Sequence, residues 1–214
     1  MSDDVLTRDA PGVDPAVAMI EFASIAVGIT AGDAMVKASP LGSIYAGTVH
    51  PGKYLVLVSG DTASVDEALG VGLETGGSSV LDSVFLPDIH PAVSGAIAGG
   101  EEAAWLSGES LGIIETDRIA TVLQAADAGV KAAYVELSAV RMADGLGGKG
   151  YVLFSGAVAD VESAVEAAQQ WSTEAGHLLE ARLIAQLHDE MAFNLRSDLR
   201  FRHRLVLRPL ERGR

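Results

Sequence analysis

Few stretches of this 214-residue sequence carry residue types that do chemistry, and the most suggestive is Gly145-Leu146-Gly147-Gly148-Lys149-Gly150. Its G-x-G-x-x-G spacing is that of a dinucleotide-binding loop, whose glycines let the backbone approach a pyrophosphate at a helix N-terminus. Here Tyr151-Val152-Leu153-Phe154 follows, a strand rather than a helix, so the anion-binding end is missing. The segment reads instead as a hairpin loop whose exposed backbone N–H groups form a weak anion-binding concavity. Glu21 and Glu115 are far apart in the sequence and form no acid–base dyad. His90 and His188 are equally separated and lack further ligands nearby, which argues against a metal site. His50 lies in a loop beside Pro51. The absence of Cys excludes disulfides, thiolate metal sites, iron–sulfur clusters and thiol nucleophiles together. No catalytic constellation stands out, and the sequence predicts no enzyme activity, no cofactor and no metal.

Hydrophobic residues make up 49% of the chain and aromatics only 5%, so its core must be built from Ala, Val, Leu and Ile. A net charge of −14 argues against nucleic acid, whose phosphates reward basic surfaces. That charge is uneven. Residues 181–214 hold eight Arg against four acids, which leaves −18 on the first 180 residues. Within this basic end, Leu199, Phe201, His203, Leu205 and Leu207 alternate with Arg200, Arg202, Arg204, Val206 and Arg208. Period two argues a strand with one apolar and one largely arginine face, suited to an acidic surface, a neighbouring molecule or an anionic cargo. No run of 18 apolar residues exists, and Met1–Pro15 carries four Asp and no apolar core. The expectation is a soluble, intracellular chain with no membrane span and no secretory signal.

The elements that position these residues are written twice. Residues 18–39 match residues 112–133 at ten of 22 positions, including Ile20-Glu21 with Ile114-Glu115 and Val36-Lys37-Ala38 with Val130-Lys131-Ala132. Residues 52–68 match 148–164 at nine of 17, including Gly52-Lys53 with Gly148-Lys149. Further on, Leu81 and His90 answer Leu179 and His188. Two small insertions account for the drifting offset, and the chain is a tandem duplication.

Each copy reads as β-α-β-β-α-β, the split-βαβ arrangement of an α+β, ferredoxin-like unit. The first strands are 18–22 and 111–116, and the helices after them are 25–38 and 119–132, each with an Asp–Lys i,i+4 pair at Asp33–Lys37 and Asp127–Lys131. Second strands fall at 44–49 and 133–141, third strands at 53–58 and 149–154. Helices at 62–74 and 158–174 and last strands at 80–86 and 178–187 complete the units. The organisation is a flexible N-terminal segment (1–17), a first domain (18–95), a linker (96–109) with a helical turn at Glu101–Trp105, a second domain (110–195) and an Arg-rich tail (196–214).

The blocks Leu111–Thr116, Ala125–Ala132 and Ser155–Val161, in this order and repeated in the first copy, resemble the bacterial microcompartment shell domain. The resemblance covers about 18–95 and 110–195, with the strand order unpermuted in both copies. It implies a structural tile of the shell in the bacterial cytoplasm. Since single-domain members form hexamers, a tandem member implies a pseudohexameric homotrimer. Its partners would be hexameric and pentameric shell proteins and small metabolites crossing an axial pore, with no nucleic acid and no membrane.

By the same resemblance the loop between second and third strands lines the pore, which assigns His50, Pro51 and Gly52 in one copy and Leu146, Gly147 and Gly148 in the other. Lys37 and Lys131 match the family's edge lysine. Pro87-Asp88-Ile89-His90 and Ala185-Gln186-Leu187-His188 match its Pro-Arg-Pro-His edge motif, with both histidines kept and the arginine absent. Lys37, Lys131, His90 and His188 are therefore the expected lateral contacts. Relatives that hold an iron–sulfur cluster at the pore use cysteine, which this chain lacks. The competing reading is a small-molecule-binding or enzymatic protein with a site between two ferredoxin-like domains.

Overall fold

The computed structural model describes residues 15–98, 110–142 and 145–196. In chain order the elements are β1 (Ala16–Phe22), α1 (Ile25–Ala38), β2 (Ser43–Val49), β3 (Lys53–Gly60), α2 (Thr62–Gly76), β4 (Val80–Leu86) and α3 (Pro91–Ile97). The second set is β5 (Ser110–Thr116), α4 (Ile119–Ala132), β6 (Glu136–Met142), β7 (Gly150–Gly156), α5 (Val158–Glu174), β8 (Leu178–Ile184) and α6 (Asp189–Arg196). Two antiparallel sheets result, ordered β2-β3-β1-β4 and β6-β7-β5-β8, so the duplication read from the sequence is a duplication of topology.

Alternation along the strands divides the packing. On one face of the first sheet, Ile20, Phe22, Val56 and Val58 meet Ala31 and Met35 of α1 and Val65, Ala68 and Leu69 of α2. On the other face, Val17, Met19, Leu57, Val84 and Leu86 belong to one continuous core with α4 of the second domain. Helix α4 therefore lies between two sheets, its own and that of the first domain, and ten of its 14 residues are buried. Its sequence counterpart α1 buries only four of 14. A helix hydrophobic on more than one side needs such double cover.

Local chemistry sets the helix starts. Ser24 Oγ accepts from Val27 N–H at α1, and Asp61 Oδ1 accepts from Ser64 N–H at α2. The Ser64 hydrogen bonds, from hydroxyl and backbone, hold the Asp61 carboxyl below its ordinary 3.8.

Several boundaries differ from the sequence expectation. Strand β1 starts at Ala16, so two residues of the expected N-terminal segment are buried strand. Strand β6 starts at Glu136 rather than 133, because Val135 N–H first closes a turn onto the Ala133 carbonyl. Strand β8 ends at Ile184 rather than 187, and the chain then turns so that Leu187 packs with Ala192 of α6. Helices α3 and α6 were not expected from the sequence. Each follows a histidine that caps it: His90 Nδ1 accepts from Ala92 N–H and His188 Nδ1 from Glu190 N–H, both at 3.2 Å. The helical turn expected at 101–105 and the alternating tail at 199–208 lie outside the described residues.

Candidate functional site at the hairpin tips and the domain seam

The β2–β3 hairpin turns through His50-Pro51-Gly52, with a cis His50–Pro51 bond and Gly52 at φ 92°. The Gly52 N–H donates to the Val49 carbonyl at 2.9 Å and closes the turn. The β6–β7 hairpin turns through Gly145, Gly147 and Gly148, whose φ values of 76°, 66° and 86° are left-handed conformations that favour glycine. No neighbouring atom stands within 4 Å of where a Cβ at Gly147 would point.

These two tips, 95 residues apart, meet. A Cβ at Gly148 would fall 2.9 Å from Pro51 Cδ and 3.1 Å from Lys53 Nζ. Lys53 Nζ donates to the Gly148 carbonyl at 3.4 Å and forms an ion pair with Glu21 Oε1. Glu21 is fully buried, and its second oxygen accepts from Ile119 N–H, 2.8 Å away, at the first turn of α4. One contact chain thus runs from the second-domain hairpin through Lys53 and Glu21 to the second-domain helix. A buried carboxylate is tolerable only with such partners, a cation on one oxygen and helix N–H on the other.

Helix α4 lacks a cap of its own, since Arg118 at its N-cap position makes no side-chain capping bond. The first domain supplies the caps. Besides Glu21, Asp82 Oδ2 of β4 accepts from Thr121 N–H at 2.9 Å and Thr121 Oγ1 at 2.7 Å. At the other end of α4, Asp127 Oδ1 accepts from His90 N–H at 2.8 Å, while Lys131 pairs with Asp127 at 2.7 Å and donates to the Asp88 carbonyl.

The second copy has the same groups without the facing domain. Lys149 pairs with Glu115 at 2.6 Å, but the side chains are 51% and 35% exposed, against 14% and 0% for Lys53 and Glu21. Lys37 and Asp33 pair at 2.5 Å on an exposed helix end. The structure therefore gathers the six expected rim residues at two touching hairpins. It separates the four expected edge residues into Lys131 and His90, which touch the seam, and Lys37 and His188, which occupy the repeat-equivalent positions outside it. From the sequence alone Glu21 forms no dyad, Lys53 has no role beyond the repeat, and Asp82 carries no signal. The available signal was a carboxylate inside an apolar strand, and a Gly-Lys at the hairpin, each kept in both copies.

Among known families, the BMC domain matches residues 16–89 and again 110–187. This chain belongs to the BMC domain family. It is 38% identical over 176 residues to the bacterial microcompartment shell protein PduT of Citrobacter freundii, an alignment covering 82% of this chain and 95% of that protein. A microcompartment protein of Desulfitobacterium hafniense DCB superposes with a TM-score of 0.71 and 40% identity, over 82% of this chain and 97% of that one. A fused permuted hexameric shell protein of the RMM microcompartment shares the fold, with a TM-score of 0.56 at 23% identity over 74% of this chain and 84% of that one. Both BMC domains here run in the unpermuted order of strands.

Proposed function

We propose that this chain is a structural tile of a bacterial microcompartment shell, that three copies close into a ring, and that the two hairpin types alternate around its central pore. The observation that carries the ring is the unequal burial of two nearly identical helices. Ile119, Leu123 and Val130 of α4 are 0%, 0% and 8% exposed under the first-domain sheet. Their repeat equivalents in α1, Ile25, Ile29 and Val36, are 40%, 54% and 43% exposed. An apolar stripe that is buried in one copy and bare in the other fits the second-domain sheet of a further molecule. Fully burying each such side chain is worth roughly 1.5–3 kcal/mol. Repeating one head-to-tail joint closes a ring when the rotation allows it. Two domains per chain and sixfold pseudo-symmetry make that ring a trimer.

His50, Pro51, Gly52, Leu146, Gly147 and Gly148 form the pore rim in this reading. Over residues 145–148 its second hairpin type offers backbone and one leucine, which suits small polar metabolites. Lys37, Lys131, His90 and His188 serve the lateral edge, where tiles meet hexameric and pentameric shell proteins. The touching tips and the exposed Lys37 support these assignments.

Mass measurement and electron microscopy of the purified protein test the reading. A particle three times the 22.1 kDa chain mass, which joins sheets or closed shells with a hexameric shell protein, is the expected result. A dimer that binds a stoichiometric small molecule and enters no shell overturns it in favour of a ligand-binding protein.

A further inference from the structure

The ring and its pore leave the basic end of the chain unused. The eighteen residues after Arg196 contain six Arg and two acids. On the described surface, a cleft of about 330 Å³ opens between β4 and the C-terminal end of α5, lined among others by Asp82, Phe85, Gln124, Trp171 and Glu174. Trp171 is 50% exposed although large and apolar. Asp82 receives Ser83 N–H, Thr121 N–H and Thr121 Oγ1, and Glu174 receives Gln170 Nε2 at 2.9 Å. These donors are all neutral. Among the described residues no cation forms an ion pair with either carboxylate.

We propose that this cleft is a guanidinium site, occupied by arginine side chains of the segment 199–208 of this chain. A planar guanidinium stacks on an indole and offers a fork of N–H donors to carboxylates beside it, which a lysine ammonium does not match. The cleft supplies both halves of that recognition, the Trp171 indole and the Asp82 and Glu174 carboxylates, which have no cationic partner among the described residues. The segment supplies Arg200, Arg202 and Arg204 at alternate positions, so an extended backbone presents them on one side. Arg200, Arg202 and Arg204 follow the end of α6 by four to eight residues, an extended reach of about 14–28 Å. The charge arithmetic agrees: the segment carries surplus cations and the cleft is aromatic and anionic. This assignment does not depend on the pore or on the trimer.

The test uses the full chain with Trp105→Phe, which leaves Trp171 as the one tryptophan. Acrylamide quenching of its fluorescence reads whether the cleft is covered. Replacing Arg200, Arg202 and Arg204 by Ser should raise the quenching constant about two-fold at low salt, and Glu174→Gln should do the same with the tail intact. Raising NaCl to 0.5 M should uncover Trp171 in the parent and leave the Arg→Ser variant unchanged. Equal quenching of parent and Arg→Ser variant at low salt overturns the proposal and sends the tail elsewhere, to a neighbouring molecule or an anionic cargo. An effect of the Arg→Ser change that Glu174→Gln fails to reproduce overturns the placement in this cleft.

Discussion

Lys53 reaches across the domain boundary to the carbonyl of Gly148, 3.4 Å away, while the same ammonium neutralises Glu21 in its own domain. The hairpin tip of one domain is thereby tied to the capping carboxylate that starts the central helix of the other.

Removing that ammonium leaves Glu21 buried with only the Ile119 N–H. Breaking a buried pair by deleting one partner costs about 3–5 kcal/mol. For a chain of this size each kcal/mol shifts Tm by about 2–4 °C. Lys53→Met should therefore lower Tm by roughly 6–20 °C in a thermal melt. Lys149→Met removes the exposed counterpart, and in a dissociated chain it should change Tm by less than about 2 °C, as surface pairs do. Equal losses from the two substitutions would contradict the asymmetry.

The bare stripe on α1 separates assembly from folding. Ile29→Asp should leave the far-ultraviolet circular dichroism of the chain intact, because that side chain is 54% exposed, and convert the assembled particle to single chains. Leu123→Asp, at the equivalent buried position of α4, should unfold the domain pair outright, since an unpaired buried carboxylate is too costly to keep. Sedimentation velocity beside circular dichroism distinguishes the two outcomes. An Ile29→Asp protein that still sediments as a trimer would remove α1 from the joint.

At the rim, Gly147→Glu puts a carboxylate where no atom lies within 4 Å, at the modest strain of a left-handed residue, about 1–2 kcal/mol. The trimer should persist. Flux of an anionic solute into shells built with the variant should fall several-fold more than flux of a neutral solute of the same size. Unchanged anion flux would place the pore elsewhere.

Lys37→Ala breaks only an exposed i,i+4 pair, worth about 0.3–0.5 kcal/mol. Its Tm should move by no more than about 2 °C, while sheet formation with hexameric partners, scored by negative-stain microscopy, should fall sharply. Sheets of normal extent would take Lys37 off the lateral edge.

Among the described residues, Asp61 is a local source of pH dependence. Asp61 accepts the cap of α2 and its carboxyl lies below 3.8 in the folded chain. A depressed folded pKa means that the stabilisation is present above about pH 3.8 and is lost as pH falls through the lower folded value. Asp61→Asn, which caps at any pH, should flatten part of the fall in Tm between pH 5 and pH 2. A parallel pair of Tm–pH curves would show that ionisation of Asp61 contributes nothing to the pH dependence of stability.

Much of this architecture was readable because it is periodic and repeated. Helices α1, α4 and α5 and strand β4 begin and end where the sequence places them, since apolar spacing and the Ser–Gly breaks at Ser59-Gly60 and Ser155-Gly156 are local signals. What escaped is what depends on the other domain. Ten identities in 22 positions make α1 and α4 look alike, yet only a neighbouring sheet decides which one is covered. Asp82 carries no signal in the sequence, because its role is to receive Thr121, 39 positions further on. Helices α3 and α6 were hidden because they are short and are started by a histidine, a residue with no strong reputation as a cap.

The start of α4 makes the two halves of the chain depend on each other. Its capping groups, Glu21 and Asp82, are encoded in the other half of the reading frame. The linkage between the halves is thus more than a tether that keeps two self-sufficient bodies together. Cut between residues 98 and 110, the message would yield two polypeptides, the second with a helix whose first turn has no acceptors. Co-expressed, they should find each other; expressed apart, the second should not hold its fold.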